Sequence, residues 1–547
     1  MQPATTSPRR FTESILGKAA AFLLSILWIA SMTMEDSHVY TMAPYVSGLL
    51  PVVAIWAIGL LLGYKTVRLR PLSWLALAAG CYFLVRCHTS YSVVESWADT
   101  SLILGCFVFY LAGIYAGQGG GSRWIMYTLA AALILNMASA WYMYNEGAIP
   151  WTLRAQCGVC GPTAGNTFLF TYKNFAGFFL VTVGLLPLCH AACSRGFRWR
   201  GVAMVLLGLG GAALSFQTGT RSVWFLAPAL LAFMWLLRFC SCMAENRRPG
   251  LLLILTGIGL FIGGAIAAYD FLFEHTITSQ IMRIDTHLRS MTWELARQVA
   301  PSGGWFGFGA RAAQWETVQG FNEWATPNMV HNEYLQAWVD YGVVGLGLML
   351  GLILLHFAAG MRQLCAEGIE PGRRAKTGMA LTFLLAASLY AICDFGWHQA
   401  ALCAATAFSC GILASPYPSR PIRWSSLWRN WAPGSRPVRP VRAAGIPARL
   451  LLLAGGIALA WNLAEVARNT GPAWLASWDY DEMVRNNAPD AQRLTLLEMV
   501  HASYPDSRLI DHYILYPLPK GKKRDILETM LRRTLEANPR QVFMSFL

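Results

Sequence analysis

The strongest constraint on this chain is a recurrence of apolar blocks of about 17–22 residues, the length at which an α-helix crosses a bilayer. About 13 such blocks occur by that criterion, centred near Leu24, Trp56, Ala78, Val108, Ala132, Val183, Leu207, Leu230, Leu260, Leu348, Leu385, Thr406 and Ala458. Of the 547 residues, 55% are hydrophobic and only 13% charged, too apolar for a water-soluble protein of this length. The expected fold class is therefore all-α, a polytopic membrane protein of about 13 transmembrane helices. No small-residue cleavage site follows the first block, so it reads as a span and not as a removed signal peptide.

Lys and Arg placement gives the expected orientation. Arg9, Arg10 and Lys18 put the N-terminus in the cytoplasm. Alternate connections are then basic: Lys65, Arg68 and Arg70; Arg195, Arg198 and Arg200; Arg238, Arg247 and Arg248; Arg362, Arg373, Arg374 and Lys376. The Pro/Arg-rich linker from Ser415 to Arg449 adds seven arginines on the same side. The opposite loops, Glu35–Ala43 and His88–Thr100, carry neither Lys nor Arg. The net charge of +14 is thus mostly topological signal, and no nucleic acid is expected as a partner. Residues 1–468 form the expected membrane domain. A large loop, Phe271–Gln336, faces outward, as do Asn145–Tyr172 and the turn Gln217–Arg221. In a bacterium that side is the periplasm, and the expected location is the inner membrane.

Beyond the last block, residues 469–547 are polar and show helical spacing of apolar residues, as in Leu494, Leu496, Leu497 and Met499. This C-terminal region is expected on the outer side as a small helical cap. The run Leu531–Pro539 looks like the second helix of one tetratricopeptide unit, although a stable array needs about three. Cys157 and Cys160 form a close pair in an exported loop, bridged as a disulfide or present as free thiols, while a metal role is disfavoured because no second ligand pair accompanies them.

The outward segments hold the chemistry-bearing residues. Lys173 and Asn174 open one membrane helix, and Arg221 precedes another. The large loop carries Arg283, Arg289, Arg297 and Arg311, a turn from Gly303 to Gly309, and then His331-Asn332-Glu333-Tyr334. Guanidinium groups keep their charge and grip phosphate oxygens through two parallel hydrogen bonds. An imidazole, with an ordinary pKa of about 6.5, suits a general base near neutral pH. Cations and an imidazole at a membrane surface point to a phosphate-bearing lipid substrate. Each residue also has a plainer reading. Arg221 could anchor at headgroups, Arg289 could pair with Asp285 one helical turn away, His331 could be a polar residue at a helix start, and Arg283 and Arg311 could be ordinary loop charges. Asp394 and His398, at an outward turn, could line an acceptor cleft.

Across about residues 160–415 the order of these pieces resembles the O-antigen ligase superfamily. The resemblance rests on Asn174 at a helix start, Arg221, the Arg289…Trp293…Gly307-Phe308-Gly309…His331-Asn332 series and Asp394-Phe395. The chain departs at Thr171-Tyr172-Lys173-Asn174, where many relatives carry Arg or His near the Asn. The resemblance implies a GT-C-like glycosyltransferase. It would move a glycan from undecaprenyl diphosphate to an acceptor hydroxyl on lipid A core, a growing glycan or a protein. Arg221 and Arg289, helped by Lys173 and Arg283, would hold the diphosphate. His331 would take the acceptor proton, with Asn174, Asn332, Asp394 and His398 in support. No metal and no cofactor are expected, because arginines supply the positive charge. Two readings from other classes stay open: a transporter of lipid-linked glycans, and a membrane scaffold.

Overall fold

The computed structural model describes residues 14–34, 42–61, 69–90, 93–118, 122–146, 168–170, 172–194, 199–218, 220, 222–244, 286–313, 329–366, 369–415 and 454–468. Among the described residues every regular element is helical. The helices are α1 (Ile15–Ala30), α2 (Met42–Leu61), α3 (Pro71–His88), α4 (Val93–Gln118), α5 (Ser122–Glu146), α6 (Lys173–Cys193), α7 (Trp199–Ser215), α8 (Ser222–Ala244), α9 (Thr286–Val299), α10 (Glu333–Leu364), α11 (Pro371–Tyr390) and α12 (Ala400–Ala414). A further helix, α13, covers 454–468. All the expected block centres except Leu260, which lies outside the described residues, fall on these helices.

Among the described residues, six helical stretches are long and apolar enough to cross a bilayer: Ile15–Thr33, Ser96–Gln118, Arg123–Trp141, Lys173–Cys193, Ser222–Met243 and Glu333–Leu364. The apolar parts of α2, α7 and α12 are shorter. The chain is a helical membrane protein. In hydrocarbon a backbone must bond to itself, which is why apolar blocks of this length become helices. The Cys157–Cys160 pair, residues 416–449 of the linker, the C-terminal region and, within the large loop, residues 271–285 and 314–328 lie outside the described residues.

Helices apolar all round belong inside a bundle, and α6 and α11 are buried on nearly every side. Small residues let the main helix pairs approach closely. A side chain at Gly113 of α4 would meet the Phe408 carbonyl and Gly411 of α12. Gly184 of α6 faces Gly208 of α7 in the same way. One end of the bundle gathers Arg238, Arg373, Arg374 and Lys376. Arg238, Arg374 and Lys376 donate to the carbonyls of Ala192, Ala366 and Ala116, and Arg373 to Ser415. Cations suit the exposed carbonyls at helix C-termini.

At the other end, α10 breaks. Gly342 has φ +69° and ψ −170° inside the helix, a left-handed conformation that favours glycine. The break frees backbone carbonyls and an N–H that would otherwise be costly in a buried setting. The Gly-rich turn satisfies them: Phe308 N donates to Val339 O at 3.0 Å, Gly309 N to Asp340 O at 2.8 Å, and Val344 N to Trp305 O at 3.1 Å. Tyr82 Oη of α3 donates to Tyr341 O at 2.7 Å. The work of the Gly303–Gly309 turn in the structure is to close the broken helix. A methyl group at Gly342 would collide with Gly307 N and the Trp305 carbonyl. Backbone in this extended positive-φ region costs a non-glycine residue about 1–3 kcal/mol. Gly342→Ala should therefore lower the thermal midpoint of the purified protein clearly. Gly347→Ala, where added carbon meets nothing, should leave it unchanged. Equal midpoints would show that the break is dispensable.

Candidate active site

The segment 331–333 is hooked onto the turn 391–398 by its own polar atoms. Asn332 caps α10, its Oδ1 accepting from Tyr334 N and Leu335 N, both at 3.0 Å. Its Nδ2 donates to Ile392 O at 2.9 Å. Glu333 N donates to Ala391 O at 2.9 Å. From α9, Trp293 Nε1 donates to His331 O at 3.2 Å. These bonds hold His331 at φ +54°, a conformation few non-glycine residues adopt and one that occurs where surrounding structure enforces it.

The hook delivers His331 to Asp394, and four elements meet there. Asp394 Oδ1 accepts from Phe395 N at 3.0 Å and lies 3.2 Å from His331 Nδ1. Oδ2 accepts from Asn174 Nδ2 of α6 at 2.8 Å and from Tyr390 Oη of α11 at 3.1 Å. Arg289 of α9 reaches Oδ2 at 3.6 Å and donates to Cys393 O at 2.9 Å. The Asp394 side chain is 2% exposed, whereas those of Arg289 and His331 are 30% and 24% exposed. A buried anion thus sits beneath a cation and an imidazole that both reach solvent. Phe395 meets the His331 ring edge-on at 4.7 Å between centroids and stacks with Tyr172 at 5.9 Å.

Electrostatics fix the protonation pattern. Burial works to raise the Asp394 carboxyl, but the hydrogen bond and charge of His331 and the charge of Arg289 outweigh it. The carboxyl is held below its ordinary range, so Asp394 is an anion that only accepts hydrogen bonds. Because Asp394 can only accept, Nδ1 is the ring nitrogen that donates across this contact, and in the neutral imidazole the basic lone pair is the one on Nε2. Burial pushes the neighbouring Cys393 thiol up to about 11, which keeps it protonated and a poor nucleophile.

The expected residues divide into three groups. His331, Arg289, Asn174 and Asp394 are brought together, with Asn332 as the cap that positions them. Arg289 pairs with Asp394, while Asp285 lies outside the described residues, as do Arg221 and Arg283. Lys173 opens α6 half-buried, and its carbonyl accepts from Thr220 Oγ1 at 2.9 Å. His398 points away from this cluster. It belongs to a second, buried group with Glu333, Asp99 and Arg311.

Arg311 corrects the sequence expectation. It is not a loop charge in solvent but 1% exposed, its Nε 2.5 Å from Asp99 Oδ1. Asp99, Glu333 and Asp340 were not anticipated. Each is an acidic residue inside or at the start of an apolar helix, and that rarity was the available signal. Among the described residues no cluster of three His, Cys, Asp or Glu side chains is arranged to hold a metal ion. No family model matches the chain, and comparison with curated proteins finds no match.

Proposed function

We propose that this protein is a membrane glycosyltransferase that moves a glycan from undecaprenyl diphosphate to an acceptor hydroxyl. The observation that carries this reading is the convergence of His331 and Arg289, both solvent-accessible, on one buried carboxylate. His331 Nε2 accepts the acceptor's proton as that oxygen bonds to the anomeric carbon. The bond from that carbon to the diphosphate breaks, and its electron pair leaves on the lipid diphosphate. Arg289 is suited to stabilise that charge through bidentate contact. Arg221, Arg283 and Lys173 are further candidates for the same anion. Asp394 holds the imidazole in the tautomer that can act as a base, a role carboxylates serve beside catalytic histidines.

The test is transfer in reconstituted membranes. Undecaprenyl-diphosphate glycan is supplied with lipid A core, glycan and protein acceptors. His331→Ala and Arg289→Ala should insert normally and abolish transfer. Near-wild-type transfer by both variants would sink the reading. The labelled acceptor identifies ligase, polymerase or protein oligosaccharyltransferase. Movement of lipid-linked glycan across the bilayer without transfer would instead favour a transporter.

A further inference from the structure

Two histidine–carboxylate contacts cross between the same two short segments. Residues 331–333 give His331 and Glu333; residues 394–398 give Asp394 and His398. His331 pairs with Asp394, and Glu333 pairs back with His398, whose Nδ1 lies 2.9 Å from Glu333 Oε2. The second pair is the buried one, with side chains 10% and 4% exposed. The other Glu333 oxygen, Oε1, accepts from Trp397 N at 2.6 Å. Glu333 therefore grips the turn twice, only three residues from Asp394.

The buried pair is backed from other elements. His398 Nε2 lies 3.8 Å from Asp99 Oδ1 of α4. Asp99 also holds Arg311 Nε and accepts from Tyr341 Oη at 2.9 Å. Asp340 accepts from Arg311 N at 3.2 Å, Ala313 N at 2.7 Å and Gln336 Nε2 at 2.7 Å. Arg311, at φ +63°, is held in left-handed backbone by these bonds. The groups facing His398 are thus Glu333 of α10, Asp99 of α4 and the Arg311 guanidinium behind it.

From this geometry we infer that His398 is a positioning residue, clamped between Glu333 and Asp99 so that Asp394 stays against His331. Truncating the clamp removes one of the contacts that fix the 394–398 turn without touching His331 itself. Burial opposes a charged His398, but Glu333 and then Asp99 outweigh it and raise its pKa above the ordinary histidine value. The clamp is therefore complete below about pH 6.5 and weakens as pH rises through that raised value. This role deepens the reading of His331 as a base, yet its test needs no sugar.

The experiment is ¹⁵N-histidine NMR of the full chain in lipid, with the His331 signals assigned by His331→Ala. Wild type should show His331 protonated at Nδ1. Asp394→Asn should lose that signature. His398→Gln, which removes the charge at similar size, should lose it too. Glu333→Gln, an isosteric neutral change, provides the same comparison if His398→Gln does not fold. A folded His398→Gln or Glu333→Gln protein that keeps the wild-type His331 tautomer overturns the inference. Because the spectrum is read without glycan, failure of transfer leaves this result standing, and the reverse also holds.

Discussion

Asp394→Asn should cut transfer by about 10²–10⁴-fold, the range general acid–base catalysis contributes. The reason is tautomeric and not steric. The wild-type carboxylate accepts from His331 Nδ1 and leaves Nε2 basic. An amide at the same position can offer N–H to Nδ1, which drives the imidazole proton to Nε2 and removes the base. Arg289 would lose its counterion yet keep its bond to Cys393 O, so substrate affinity should change less than turnover. A kcat fall with a near-constant KM is the expected split. A second readout follows from linkage. Asp394 is held below the ordinary carboxylate range, so its ionisation adds stability that is present above about pH 3.9. That stability is lost as pH falls through the depressed value. Asp394→Asn should flatten the acid side of the stability profile, measured as thermal midpoint against pH. Unchanged turnover together with an unchanged acid limb would remove Asp394 from the site.

The helices were legible because bilayer length and apolarity are written in consecutive residues. Contacts across the bundle were not. His331 and Arg289 could be nominated from their chemistry in an outward loop, and Asn174 and Asp394 mainly through the resemblance. That Asp394 is their meeting point depends on the hook made by Asn332 and Glu333, whose partners Ile392 and Ala391 are backbone atoms without a sequence signature. Arg311 failed for a related reason. Its partner Asp99 lies 212 positions away, and an arginine after a Gly-rich turn looks like a surface charge. The break in α10 was hidden because Gly342 sits among other glycines of the same helix, and only its backbone angle distinguishes it.

The largest stability effect should come from Arg311. Arg311→Met leaves Asp99 without its closest cation in the interior, near Glu333 and Asp340. Breaking a buried ion pair by deleting one partner costs about 3–5 kcal/mol. The argument lies in the uncompensated charge and not in the worth of the pair itself, which burial of both ions largely offsets. Asp99→Asn combined with Arg311→Met should therefore be more stable than Arg311→Met alone, because no lone anion remains. Arg311→Gly separates a further contribution. It removes the same guanidinium but relieves a non-glycine residue at φ +63°, which is worth about 1–2 kcal/mol. The expected order of thermal midpoints is wild type, then the double variant, then Arg311→Gly, then Arg311→Met. A double variant less stable than Arg311→Met would mean that Asp99 does more through Tyr341 and His398 than through Arg311. The buried cluster would then be held together by those two contacts.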